Sequence, residues 1–186
     1  MLTYSAQASY NRVVPTESLT DEQIAQLLAA ASDQRAALLI RLLAVEGFGL
    51  HEILALDHEQ IVRSGRSMSA QLVRHGRPQS IALHVDTSAA VAALQRSSGA
   101  TGPLFAAAQP AGAGQRITRF GADYLIKQAA LAAHLDTNVS SNVLRRSHVA
   151  VAQRNGVHIL DTRDRMGHSD VRTTHRHLGD ESSINS

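Results

Sequence analysis

Apolar residues near the start of the chain fall on helical spacing. Thr20 has Gln23 three positions on, with Asp21 and Glu22 between them. That is capping-box spacing with acid in the first turn, so a helix opens at Thr20. Ile24, Leu27 and Leu28 give it an inward stripe. A second helix is predicted over 33–45, with Leu38, Leu39, Leu42 and Leu43 inward. Gly47-Phe48-Gly49 interrupts it, and a short helix follows over 50–56.

The pattern then changes. Residues 60–63, 70–74 and 80–84 are short and partly alternating, with turn signals at Gly65 and at His75-Gly76-Arg77-Pro78. They predict a small antiparallel sheet. Thr87 caps a helix to about residue 95, and 97–116 is a loop rich in Gly, Ala, Ser and Pro. Thr118 opens a long helix to about 135. Another covers 143–155, with Gly156 just past its end. Short helical segments are predicted at 157–166 and 170–177. Residues 1–17 lack periodicity and read as an extended lead-in, and 179–186 as a polar tail. The fold class is therefore α+β, mostly α, with one domain over 18–178.

Composition narrows the functional classes. A chain of 186 residues and 19.9 kDa can bury one substantial core. Aromatics are 3% of it, so aliphatic residues fill the core and base stacking is not the main mode of any nucleic-acid binding. There is no cysteine, which excludes disulfides, thiolate zinc sites and a cysteine nucleophile. No apolar run has membrane-spanning length and the N-terminus lacks a signal-peptide layout. A soluble, cytoplasmic protein is expected.

The net charge is only +2, but residues 1–60 carry −5 and residues 61–186 carry +7. Lys127 is the single lysine among 18 basic residues, so the positive charge is almost all guanidinium. Arginine's planar fork suits phosphate. A codon bias towards Arg and Ala explains the same composition, so residue patterns must decide.

They do so between residues 142 and 177. The run Asn142-Val143-Leu144-Arg145-Arg146-Ser147-His148-Val149-Ala150 leads to Gly156. Met166-Gly167-His168-Ser169-Asp170-Val171 and Thr173-Thr174-His175-Arg176-His177 follow. Upstream stands Gly47-Phe48-Gly49-Leu50-His51-Glu52-Ile53-Leu54. In order and spacing these segments resemble the catalytic domain of the tyrosine recombinase/phage integrase family. That family has H-x-L-R-[HR]-[ST]-x-A-T, then L-G-H and a T-T-x-x-Y, and upstream T-G-l-R-i-s-E. The resemblance covers roughly residues 18–178 and implies that family's fold, with the predicted strands as its β-hairpin.

The resemblance also implies a chemistry. In the family a tyrosine attacks a DNA phosphodiester, two arginines hold the non-bridging oxygens, and a hairpin lysine and two histidines move protons. Arg145 falls on the second arginine and His168 on the histidine of L-G-H. Glu52 falls on the motif's glutamate. The first arginine falls on Gly49 and the first histidine on Asn142, which cannot act as an acid or base near neutral pH. The hairpin lysine falls near Arg74 or His75. The nucleophile falls on His177, and Tyr4, Tyr10 and Tyr124 all lie elsewhere.

The reading is a DNA-binding protein of recombination or integration that has lost strand cleavage. It holds duplex DNA through Arg145, Arg146, Arg74, Arg77 and Arg172. Two alternatives stay open: a divergent but active recombinase using His177, and a scaffold that pairs with an active recombinase or with itself. Residues 1–17 are too short for the helical domain that completes the family's clamp, so a partner or further segment is expected to supply it. Helix 118–135 also reads as part of a helix-turn-helix, although the connection 136–142 is long for one. Finally, His75, His168 and His177 together would offer three imidazoles to zinc. Arg145 beside them opposes a cation and no local spacing matches a metal motif, so neither metal nor cofactor is expected.

Overall fold

A computed structural model describes residues 18–65, 67–107, 114–135 and 138–176. The element order is α1 (Asp21–Ala29), α2 (Gln34–Ala44), α3 (Leu50–Ala55), β1 (Ile61–Ser64), β2 (Ser67–Arg74), β3 (Arg77–Ala82), α4 (Val85–Ser98), α5 (Arg119–Ala132), α6 (Ser141–Arg154), α7 (Ile159–Met166) and α8 (Val171–Arg176). The proposed lead-in, His177 and the polar tail lie outside the described residues.

Local signals start most helices. The Thr20 hydroxyl accepts from Gln23 N–H while the Gln23 side chain accepts from Thr20 N–H, the reciprocal cap that the sequence implies. Asp33 caps α2 through Ala36 N–H at 2.8 Å. α2 is the central element: Leu38, Leu39, Ile40, Leu42 and Leu43 are all 1% exposed or less. It packs against α1, α3, α4, α5 and α6. Apolar residues thus surround most of it, with Gln34, Arg35 and Arg41 at its edges.

The sheet is antiparallel in the order β1-β2-β3. Arg74 pairs with Arg77 across a two-residue turn, His75-Gly76, in which both residues have positive φ (52° and 73°). This is the twist that joins hairpin strands tightly. Pro78 then sits inside β3, tolerated on an edge strand because it need not donate to the ladder. The turn is therefore shorter than the expected 75–78. Along β2, Met68, Ala70, Leu72 and Arg74 alternate onto the buried face.

Two helix starts differ from expectation. α4 begins at Val85 after His84, and Thr87 lies fully buried inside it. α6 is capped by Ser140, which accepts from Val143 N–H, so Asn142 sits exposed in its first turn. Among the described residues no helix is long and apolar enough to cross a membrane.

Candidate functional site

The site forms where the α2–α3 corner, the hairpin, α6 and the end of α7 meet. Gly47 turns the corner with φ +72°, and a Cβ there would stand 2.6 Å from the buried His148 ring. Both conditions demand glycine. The Gly47 carbonyl accepts from Arg145 Nε at 3.3 Å, joining α6 to the corner.

Arg145 Nη2 also approaches the Met166 carbonyl and His168 Nε2, each at 3.3 Å. A guanidinium only donates, so His168 Nε2 is the acceptor there. His168 Nδ1 then carries the proton and donates to Thr174 Oγ1 at 3.0 Å. The ring is held between α6 and α8. Burial draws the Arg145 pKa down, with Arg74 adding to the effect and Glu52 opposing it. The group remains cationic, since arginine does not deprotonate in proteins.

His75, at the hairpin tip, faces the Gly167 carbonyl through Nε2 at 3.0 Å, so Nε2 carries the proton. Gly167 ends α7 in the left-handed conformation, φ +69°. His75 and His168 line one cleft of about 780 Å³ with Ser80, Arg163, Arg165 and Gly167. The structure thus brings Arg145, His168 and His75 together around the end of α7.

Arg74 requires a correction. It was expected to face DNA, but it lies on the inward register of β2 and is 4% exposed. Its Nε and Nη2 bond the Glu52 carboxylate at 2.7 and 3.3 Å. Its Nη1 bonds the carbonyls of Asp164 and Arg165 at 3.3 and 2.8 Å. The guanidinium lies over the Phe48 ring, 5.5 Å from the centroid. Every nitrogen is engaged, so Arg74 braces the hairpin against α7 and is not an exposed cation. Burial raises the Glu52 pKa, but hydrogen bonds from Arg74 and Gly49 N–H and the charges of Arg74 and His51 outweigh it, leaving a net lowering.

The other expected contacts are scattered. Arg77 is exposed at the start of β3, and Arg172 is exposed in the first turn of α8. Arg146 is part-buried, its Nε shielded and without a hydrogen bond. Asn142 lies one helical turn before Arg145 on the same side of α6. Among the described residues no three His, Asp or Glu groups are placed to hold a metal ion.

Sequence reasoning missed a second brace. Glu46, wholly buried, takes Arg165 Nη2 and the backbone N–H of His84. Arg165 Nη2 also bonds the Ala82 carbonyl at 3.0 Å. The available signal was an acid inside the apolar run Leu42-Leu43-Ala44-Val45-Glu46-Gly47-Phe48, which must be paired if that run is buried.

A model described as the phage integrase family matches residues 17–181. No curated protein matches the chain in sequence. The crystal structure of XerA recombinase superposes with a TM-score of 0.74 at 21% identity, over 86% of this chain and 57% of that one. The XerH site-specific recombinase in a pre-cleavage complex with difH substrate gives 0.71 at 15%, over 87% and 50%. A lambda integrase dimer bound to a COC′ core site gives 0.66 at 15%, over 91% and 49%. The chain thus spans about half the length of these structures, and the shared fold is the mostly helical domain with a small antiparallel sheet expected from the sequence.

Proposed function

The chain belongs to the phage integrase family, and we propose that it binds duplex DNA in recombination or integration without cutting it by the family's tyrosine route. The observation that carries the binding half is the convergence of Arg145, His168 and His75 around the end of α7. Arg145 makes no ion pair among the described residues, so its charge is available to a phosphate oxygen. His75 and His168 line the cleft beside it. Arg77 and Arg172 add exposed charge that would follow the backbone without reading bases.

Three features support the loss of cleavage. Position 177, where the family places its nucleophile, is histidine. Position 49, where it places an arginine, is glycine, and loss of one oxyanion donor costs about 10²–10³ in rate. Arg74, a cation of the adjoining hairpin, is committed to Glu52.

Titration of a labelled duplex between about 50 and 200 mM salt tests the binding half. Log affinity should fall with log salt, and Arg145→Ala should weaken binding and lower the slope by about 0.9. Absence of salt-dependent binding would refute it. Suicide substrates test the other half. No covalent protein–DNA adduct is expected, and an adduct that vanishes in His177→Ala would show an active enzyme instead.

A further inference from the structure

Two buried carboxylates flank the Gly47-Phe48-Gly49 corner, and each is met by an arginine from elsewhere: Glu46 by Arg165 and Glu52 by Arg74. Neither pair has a charge to spare for an incoming anion. His51 differs. It lies in the first turn of α3, is exposed, and makes no hydrogen bond among the described residues.

Its ring lies across Gly49. A Cβ built on Gly49 would stand 2.8 Å from His51 Cε1 and 3.0 Å from His51 Nδ1. The backbone does not call for glycine there, because φ is −72°. The neighbours such a Cβ would meet are side-chain atoms, the His51 imidazole and, at 3.2 Å, Glu52 Oε2. In this arrangement the His51 ring takes up the space beside Gly49 into which a side chain there would begin. The same corner anchors Arg145, through the carbonyl of Gly47 two residues earlier. Glu52, next in sequence and within the field of His51, would repel a phosphate if unpaired, but Arg74 neutralises it.

We propose that His51 is a DNA-backbone contact, a second donor on the corner that anchors Arg145, standing where a side chain from position 49 would begin. The inference rests on the reading that this face grips duplex DNA. An imidazole N–H donates to a phosphate oxygen whether or not the ring is charged, and a charged ring does so more strongly.

The test compares the wild-type chain, His51→Ala, His51→Arg and Arg145→Ala in duplex titrations across salt. An exposed position makes all three His51 forms compatible with the fold. His51→Ala should weaken binding about threefold to tenfold at low salt, and His51→Arg should bind at least as tightly as wild type. If Arg145→Ala weakens binding and His51→Ala leaves it unchanged, the inference fails while DNA binding through the cleft stands. If His51→Arg binds as weakly as His51→Ala, no phosphate lies within reach of position 51, and the inference fails again. If the wild-type chain shows no salt-dependent binding, the reading of the cleft falls, and the role of His51 with it.

Discussion

Replacing Glu52 by glutamine should destabilise the protein far more than its small change in shape suggests. The Arg74 and Glu52 side chains are 2% and 8% exposed. Glutamine keeps the volume but removes the counter-charge, leaving a guanidinium buried against two carbonyls and the Phe48 ring. Breaking a buried pair from one side costs about 3–5 kcal/mol. The carbonyls of Asp164 and Arg165 still accept, so the lower end, about 3 kcal/mol, is expected. With a urea m-value of about 1–3 kcal/mol/M, the midpoint should drop by about 1–3 M. Replacing both partners, Glu52→Leu with Arg74→Met, should recover most of the loss because no charge stays buried.

The pair also has a pH signature. The Glu52 pKa in the folded state lies below its ordinary 4.5. Its contribution is fully present above that value and is lost as pH falls through the lower folded value. Glu52→Gln should therefore flatten the acid limb of the stability profile below about pH 4.5. A midpoint within about 0.2 M of wild type, or a double variant less stable than Glu52→Gln, would refute the reasoning.

Further outcomes follow from other contacts. Burial, aided by the charges of His84 and Arg145 and opposed by bonds to the Ala44 and Val45 backbone, pushes the His148 pKa from 6.5 to about 4. The unfolded chain binds the extra proton between those values, so about 3 kcal/mol should be lost as pH falls from 6.5 to 4, and His148→Gln should remove that slope in urea titrations. Gly167→Ala and Gly156→Ala both force a side chain onto a left-handed backbone, but a Cβ at 167 also meets Arg74 Nε at 2.6 Å while one at 156 meets nothing within 4 Å. Thermal melts should show Gly156→Ala costing about 1 kcal/mol and Gly167→Ala clearly more. Leu42→Ala, at a fully buried position on the central helix, should cost about 2–5 kcal/mol by urea midpoint.

The sequence disclosed what local chemistry decides. The Thr20–Gln23 cap, the Leu stripe of α2 and the Thr118 start of α5 are each settled within a few residues. Arg145 and His168 were legible because their motif spacing brings one face of α6 to the end of α7. Failures occur where a distant group overrides the local signal. His84 starts α4 in place of Thr87, and its N–H is satisfied by Glu46, 38 residues away. Arg74 reads from its place beside the hairpin turn as a cation facing DNA. The alternation from Met68 then carries it inward, and Glu52, 22 residues away, makes that burial tolerable. His51 lies inside the upstream motif but at a position given no role there, and its significance lies in the missing Cβ of Gly49.

The charge asymmetry along the chain takes on a different meaning in the fold. Four acids of the first 60 residues pair with arginines of the remainder: Asp21 with Arg154, Glu46 with Arg165, Glu52 with Arg74 and Asp57 with Arg116. Much of the positive excess after residue 60 therefore meets the negative excess before it and has no part in attracting a polyanion. The exposed members of this set are worth little to stability. The two buried ones do more, because each acid can be buried only if its arginine arrives, which fixes the hairpin and α7 against the α2–α3 corner. That geometry then holds Arg145 and His168 in place around Met166 and Gly167. The number of arginines is thus a poor measure of DNA affinity here. On the proposed reading, the cations that matter are those not paired with an acid, and removing Arg145 should lower the salt slope where removing Arg116 should not.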